Sequence, residues 1–157
     1  MTDRNLAAFK KALAPGQRLL GIDHGSKTLG LALSDVSRMI ATPMETLIRA
    51  KFAQDAERLA ALIEAQGVGG LVIGLPIEMD GAEGPRCQSA RQFARNLAKV
   101  IERPVLFWDE RLSTAAVLRM MVDEADLSRA KRARAKDKMA AAWILQGALD
   151  ALARTAD

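Results

Sequence analysis

Three acidic residues stand at positions from which a carboxylate could bind a metal ion. Asp23 follows the apolar run LLGI, Glu110 follows the run VLFWD, and Asp137 opens an apolar stretch near the C terminus. Carboxylate oxygens are the ligands that hard divalent cations such as Mg²⁺ and Mn²⁺ prefer. Three of them meeting in one cleft predict metal-assisted hydrolysis of a phosphodiester bond.

The two strand-end acids also have structural explanations. Asp23 could hydrogen-bond the backbone of the turn that follows it. Asp109 and Glu110 alternate sides of their strand, so that one can face the cleft while the other does not, and the spacing leaves this choice open. Arg111 could pair with either acid in an ion pair of little energetic consequence.

Asp137 lies on the apolar side of its predicted helix. The residues that follow it at helical spacing are Ala140, Ala141, Ile144, Leu145, Ala148 and Leu152. A solvated acid would lie on the opposite side of such a helix. An acid at the N terminus of the helix, stabilised by the helix dipole, would explain the same position, and both explanations can hold together.

Basic residues cluster around Asp137. The chain has a net charge of +4, and Asp137 is the one acid among the basic residues Arg129, Lys131, Arg132, Arg134, Lys136 and Lys138. Such clustering favours a polyanionic partner such as nucleic acid, although a solvated surface would give the same net charge. Lys27, Arg86 and Arg111 are further candidates for phosphate contacts. Their positions are equally typical of ordinary turn or strand-end residues.

Several other kinds of site are not favoured by the composition. His24 is the only histidine and Cys87 the only cysteine, so a zinc site and an internal disulfide are not expected. The segment GSKTLG resembles a phosphate loop but is followed by Leu31 and Ala32 instead of lysine and a hydroxyl residue. With no tyrosine and few other aromatic residues, a platform for stacking bases is not evident.

Alternating strands and helices would position these residues. Strands are predicted at RLLGID, LGLALSD, MIATPMETLI, GLVIGLP and PVLFWDE. The turn HGSKT pairs the first two strands antiparallel, and Pro43 predicts an edge or a bulge in the third. Helices are predicted at 52–66, 89–100, from Ser113 or Thr114 to about 122, and 137–153, with a mobile charged segment over 123–136.

This order predicts a mixed α/β sheet, with an antiparallel three-stranded unit, added parallel strands and flanking helices. Ligands of such sheets bind beyond the carboxyl ends of the strands, where Asp23 and Glu110 lie. We expect a single domain over 1–157, with 1–17 as a polar lead-in. One cysteine and no long apolar segment predict a cytoplasmic protein that does not associate with membranes.

Four sequence blocks resemble the YqgF/RuvX family. They are GIDHGSKTLGLALSD, GLPIEMDGAEGPRCQSA, DERLST and KDKMAAAWILQ, in this order, between about Leu19 and Leu149. The resemblance implies an RNase H-like fold and a nuclease that matures the 5′ end of pre-16S ribosomal RNA in ribosome biogenesis, or that resolves Holliday junctions.

Carried over by position, the resemblance implies that Asp23, Glu110 and Asp137 are the catalytic acids and hold one or two Mg²⁺ or Mn²⁺ ions. The choice of Glu110 over Asp109 follows from the resemblance alone. The chain departs from the family pattern at 27–29, which reads KTL, and at Glu78. Neither departure involves the three acids.

The resulting hypothesis is a metal-dependent nuclease that acts on structured RNA or branched DNA as a monomer or homodimer. One alternative is a non-catalytic nucleic-acid-binding factor in transcription or ribosome assembly. Another is an actin-like nucleotide-binding phosphotransferase, whose first hairpin also carries an acid followed by a glycine and a polar turn. The small size of the chain argues against the latter.

Overall fold

The computed structural model describes residues 3–112 and 129–156, with side chains described for 5–112 and 135–156. Its five strands are β1 (Arg18–His24), β2 (Thr28–Ser34), β3 (Ala41–Ile48), β4 (Val68–Leu75) and β5 (Val105–Asp109). Its helices are α1 (Asp3–Ala12), α2 (Phe52–Gln66), α3 (Pro85–Ala98) and α4 (Arg129–Ala153), with a short 3₁₀ turn at Glu110–Leu112.

The strands form one sheet in the order β3-β2-β1-β4-β5. β1, β2 and β3 pair antiparallel, whereas β4 and β5 run parallel to β1. β3 is an edge strand, and its register shifts where Pro43 pairs with Ala32. The predicted mixed sheet is confirmed, and so is the prediction of an edge or a bulge at Pro43, since β3 has both.

Two of the predicted helix boundaries need correction. α3 begins at Pro85 instead of Ser89, since proline suits the first position of a helix. α4 begins at Arg129, about two turns before Asp137, so the prediction of a mobile segment is wrong for 129–136. Asp137 is therefore too far from the helix N terminus for the dipole to explain its position.

Other predictions for this region lie outside the described residues. They are the helix from Ser113 or Thr114 to about 122 and the mobile segment over 123–128. α2, by contrast, has the predicted bounds and is capped by Gly67, whose φ of 64° is the left-handed conformation that glycine adopts readily.

The helices cover both faces of the sheet. α1 and α4 pack on one face, in a core that includes Leu19, Val72 and Leu106. α2 and α3 pack on the other, in a core that includes Leu20 and Ile22. These alternating strand residues assign each neighbouring side chain to a face.

The N-terminal segment is part of this core. α1 buries Leu6 and Phe9, and Lys10 Nζ donates to the carbonyl oxygens of Leu152 (3.1 Å) and Thr155 (2.6 Å). A cation there satisfies carbonyl groups left open at the end of α4. No helix in 3–112 or 129–156 has the length and apolarity needed to cross a bilayer.

Candidate active site

Asp23 lies near the carboxyl end of β1 and faces α4. Leu19 and Gly21 alternate with Leu20 and Ile22, and a Cβ on Gly21 would be 2.8 Å from Cβ of Leu145 in α4. Asp23 continues this row and is only 7% exposed. A carboxylate buried to this degree must be paired, hydrogen-bonded or bound to a cation.

Glu110 lies on the same face, above Gly74 of β4. A Cβ on Gly74 would be 3.1 Å from Cγ and 3.2 Å from Oε2 of Glu110. The pairing of Ile22 with Ile73 continues along the parallel strands to place Asp23 beside Gly74. The Glu110 carboxylate thus lies over the strand next to Asp23.

Asp109 points away from this group and binds Arg111. Its Oδ1 accepts from the Arg111 backbone N–H (2.9 Å), and its Oδ2 accepts from Nη2 (2.7 Å) and Nε (3.0 Å). Burial would raise the pKa of Asp109, but the hydrogen bonds and positive charge of Arg111 outweigh it and lower the pKa. The structure therefore answers the question that the sequence left open and places Glu110 on the face of Asp23.

Asp137 approaches the site from α4 through Gly30. Gly30 is the cross-strand partner of Asp23. A Cβ on Gly30 would overlap the Asp137 backbone carbonyl and would be 3.1 Å from Cβ of Asp137. Thr28 Oγ1 donates to Asp137 Oδ2 at 2.6 Å. Sequence reasoning missed Thr28, although its position at the far end of the turn after Asp23 was a usable signal.

Glycines allow α4 to lie this close to the sheet. Side chains at Gly21, Gly30 and Gly74 would meet Leu145, Asp137 and Ile144, respectively. Farther along α4, Gln146 Oε1 accepts from the Ala41 backbone N–H at 2.8 Å and fixes the helix against β3. The depth at which α4 packs thus places Asp137 beside the strand ends.

The donor chemistry of the three acids fits a hard divalent cation. However, within the described parts of the chain, no three His, Cys, Asp or Glu side chains lie close enough together to hold a metal ion. One oxygen of Asp137 accepts from Thr28. The backbones of the three acids already lie close together. Their side chains would therefore have to change conformation for all three to bind one cation.

Five of the six predicted basic residues lie in the turn after Asp23, in α4 or next to Asp109. Lys27 is exposed in the turn after Asp23, and Lys136 is half-buried beside Asp137 on α4. Arg111 binds Asp109 and also donates from Nη1 to the Glu78 carbonyl at 3.3 Å. Arg132 and Arg134 belong to α4, but their side chains lie outside the described part.

Arg86 lines a pocket that the sequence did not reveal. Arg49 lines it too, donating from Nη1 to His24 Nε2 (3.0 Å) and to the Gly25 carbonyl (2.9 Å). Burial, followed by the charges of Arg49 and Arg86, lowers the pKa of His24 to about 4, so its imidazole is neutral at pH 7. Arg49 lies far from the acids in sequence, and no motif marks it.

Substitutions at Asp109 and Glu110 should separate stability from activity. On the hypothesis from the sequence, in which Glu110 is a catalytic acid, Glu110→Gln should abolish metal-dependent cleavage and leave stability nearly unchanged. Asp109→Asn should keep cleavage within about tenfold of the wild-type rate but lose about 1–3 kcal/mol of unfolding free energy at pH 7, because Arg111 loses its partner. Nuclease assays and urea denaturation measure the two effects.

The pH dependence of stability checks the role of Asp109 further. A carboxylate whose folded pKa lies below its ordinary value of 3.8 stabilises the fold above that pH, and this contribution is lost as pH falls through the folded pKa. The stability difference between wild type and Asp109→Asn should therefore shrink from about pH 6 to about pH 3. Equal differences at both pH values, or loss of cleavage in Asp109→Asn alone, would contradict the assignment.

Comparisons with known proteins find matches over most of the chain. The family model for RuvX, described as Holliday junction resolvase, matches residues 17–151. A protein of Paramagnetospirillum magneticum, named as a proposed pre-16S rRNA nuclease, is 66% identical over 144 residues, or 92% of each chain. A protein of Rhodospirillum rubrum with the same name is 57% identical over 150 residues, covering 96% of this chain and 93% of its own.

Solved structures share the fold at low sequence identity. RuvC of T. thermophilus, in complex with a Holliday junction substrate, has a TM-score of 0.56 at 16% identity, covering 90% of this chain and 98% of its own. The yeast mitochondrial Holliday junction resolvase Ydc2 has a TM-score of 0.53 at 18% identity, covering 98% and 86%. These likenesses confirm the RNase H-like fold.

Proposed function

Because the chain belongs to the RuvX family, whose members hydrolyse phosphodiester bonds, we propose that it is a metal-dependent nuclease that matures the 5′ end of pre-16S ribosomal RNA. The names of its relatives, which are 66% and 57% identical, support this substrate. The observation that carries the proposal is the approach of Asp23, Glu110 and Asp137 on one face of the sheet. Gly30 leaves room there for Asp137, and Gly74 leaves room for Glu110.

The three carboxylates form the proposed metal site. Asp23, Glu110 and Asp137 would hold one or two Mg²⁺ or Mn²⁺ ions, which when bound supply an activated water and stabilise the leaving oxygen. Asp23 provides a charge in a buried setting, where attraction to a cation is stronger than in water. Thr28 orients Asp137 through its hydrogen bond.

Basic residues around the site would bind the phosphate backbone. We assign this role to Lys27, Arg86, Arg111, Arg132, Arg134 and Lys136. Contacts of this kind fix the position of the strand and contribute affinity, but they carry little sequence information. Specificity for one precursor end would then depend on the shape of the RNA.

Resolution of Holliday junctions is the second candidate. The description of the family model and the fold shared with RuvC, which was solved on a junction, favour it. A symmetric junction needs two cuts, so this activity would call for a homodimer, whereas trimming of an RNA end suits a monomer.

A cleavage panel tests both candidates and the non-catalytic alternative. The substrates are precursor 16S RNA, an RNA duplex, a DNA duplex and a four-way DNA junction, each with Mg²⁺, Mn²⁺ or chelator. We expect cleavage of the precursor RNA near its 5′ end with metal and none with chelator. Cleavage of the junction alone would favour resolvase activity, and binding without any cleavage would refute the nuclease proposal.

The α4 arginines should contribute to binding of the nucleic acid backbone. Replacing Arg132 and Arg134 together by glutamine should weaken binding and reduce the slope of log affinity against log salt by about 1–2, because fewer counterions are released. Fluorescence anisotropy between about 50 and 200 mM salt measures the slope. The control, Lys11→Gln with Arg154→Gln, removes the same charge from the last turn of α1 and from the residue that follows α4. Equal slopes in the two double variants would contradict the role.

A further inference from the structure

A pocket of about 500 Å³ opens beside the turn that follows Asp23. Its walls come from that turn, from the segment between β3 and α2, and from one side of α3. They include Arg49 and Arg86, the rings of Phe52 and Phe93, and the amides of Gln92 and Asn96. Its volume lies in the range of small-ligand sites, about 300–1,000 Å³.

The pocket lies on the face of the sheet opposite to the three acids. Phe93 belongs to the core that α2 and α3 form with Leu20 and Ile22. His24 contacts Phe93 with ring centroids 4.8 Å apart, whereas the preceding residue, Asp23, faces α4. The pocket is therefore separate from the proposed metal site, yet it adjoins that site at the same end of the sheet.

Arg49 is held in place from several sides. Its guanidinium carbon lies 5.4 Å from the centre of the Phe93 ring, and its Nε lies 3.6 Å from Oδ2 of Asp55. Asp55 is fully buried and also binds Arg58 Nη2 at 2.8 Å. Its Oδ1 accepts from the Ala50 backbone N–H at 3.0 Å. An arginine fixed in this way loses little conformational freedom when it binds an anion.

Arg86 adds a second positive charge from the first turn of α3. The partner of Arg49, Asp55, lies behind the pocket and is not part of its lining. Among the residues that the structure describes, the lining contains arginines, a histidine, amides and hydroxyl groups but no acid. This composition suits a phosphate group.

Aromatic rings form the apolar part of the wall. Phe52 meets Phe93 edge to face, with centroids 6.0 Å apart and an interplanar angle of 85°. Phe93 is only 3% exposed, so the half-buried ring of Phe52 is the one that offers a surface to a flat heterocycle, and the nearby amides of Gln92 and Asn96 can bond its edge. A stacking surface was not evident from the sequence because Phe52 and the other residues of the pocket wall lie far apart in the chain.

We propose that this pocket binds one unpaired nucleotide of the substrate strand, with its phosphate on Arg49 and Arg86 and its base against Phe52. The inference rests on the proposed function for its substrate class. A strand crossing the end of the sheet would place one phosphate at the acids and a neighbouring nucleotide in the pocket, because Asp23 and His24 are consecutive and point to opposite faces. Binding in the pocket would then fix which phosphodiester reaches the acids.

Titrations in chelator test the pocket without catalysis. The probes are adenosine and uridine 5′-monophosphate, the two nucleosides, inorganic phosphate and a four-nucleotide RNA. Calorimetry and NMR of the full chain measure their binding. We expect the monophosphates and the RNA to bind competitively and to shift signals of Phe93 and Asn96. Arg86→Gln should weaken binding about tenfold or more, and Lys99→Gln, which is exposed at the far end of α3 and outside the pocket, should not. Arg49→Lys, which keeps the charge but loses the planar fork, should also weaken it.

Each outcome bears on one of the two proposals. No binding of any monophosphate, or equal binding by the Arg86 and Lys99 variants, would overturn the pocket inference and leave the cleavage panel unaffected. Binding of monophosphates without competition from the RNA would overturn its assignment to a strand. Binding in Asp23→Asn equal to wild type is expected, since this variant changes the other face. Nucleotide binding in a chain that cleaves nothing would support the pocket and refute the nuclease proposal.

Discussion

Replacing Asp23 by asparagine should abolish metal-dependent cleavage while leaving the fold intact. Asparagine keeps the size of the side chain and one carbonyl oxygen but removes the negative charge that a divalent cation requires. Loss of one group from a cooperating site typically costs several orders of magnitude, and we expect a reduction of at least about 10³-fold. Single-turnover cleavage of the best substrate from the panel, with Mg²⁺ in excess, measures the effect.

Asp150→Asn is the matched control for Asp23→Asn. Asp150 is exposed near the end of α4 and accepts a hydrogen bond from Gln146 Nε2 at 2.9 Å, far along the helix from Asp137. This variant should cleave at the wild-type rate. Circular dichroism and thermal unfolding of both variants should match wild type. If the Asp23→Asn protein is folded and cleaves normally, Asp23 is not part of the active site.

A methyl group at Gly30 should damage both stability and activity. Since the added Cβ would overlap the Asp137 backbone carbonyl, α4 must move away from the sheet. Overpacking of a core of this kind costs about 1–3 kcal/mol or more, or about 2–4 °C in Tm for each kcal/mol. Cleavage should fall further than stability explains, because the displaced helix carries Asp137 away from Asp23.

Gly84→Ala is the control for the added methyl group. There the new Cβ would meet Oε1 of Glu78, at 2.9 Å, which is the end of a flexible side chain that can turn aside. We expect Gly84→Ala to change Tm by no more than a few degrees and to keep full activity. A Gly30→Ala protein with wild-type Tm and cleavage would show that the close approach of α4 is not required.

Local patterns allowed much of the fold to be predicted. Alternating apolar residues and short turns located all five strands, and helical spacing with a glycine C-cap located α2. The start of α4 was missed because Arg129 to Lys136 carry many charges, and charge alone does not distinguish an exposed helical turn from a mobile segment. The segment is helical because it continues the later turns of α4, which pack beside β2.

The candidate site was less accessible to sequence reasoning. Residue spacing could not choose between Asp109 and Glu110, whereas the fold does so through Gly74, which admits Glu110, and Arg111, which binds Asp109. Thr28 and Arg49 were missed because their roles depend on partners distant in the chain. The glycines under α4 likewise gain their meaning only when the helix is placed on the sheet.

Anomalous diffraction from crystals grown with Mn²⁺ is the most direct test of the proposed metal site. It reports the position of the ion itself, without reference to any substrate. We predict one or two manganese peaks bound by carboxylate oxygens of Asp23, Glu110 and Asp137, with the side chain of Asp137 turned toward the ion. Absence of manganese from these three residues at millimolar concentration, in crystals where they are well ordered, would contradict the account.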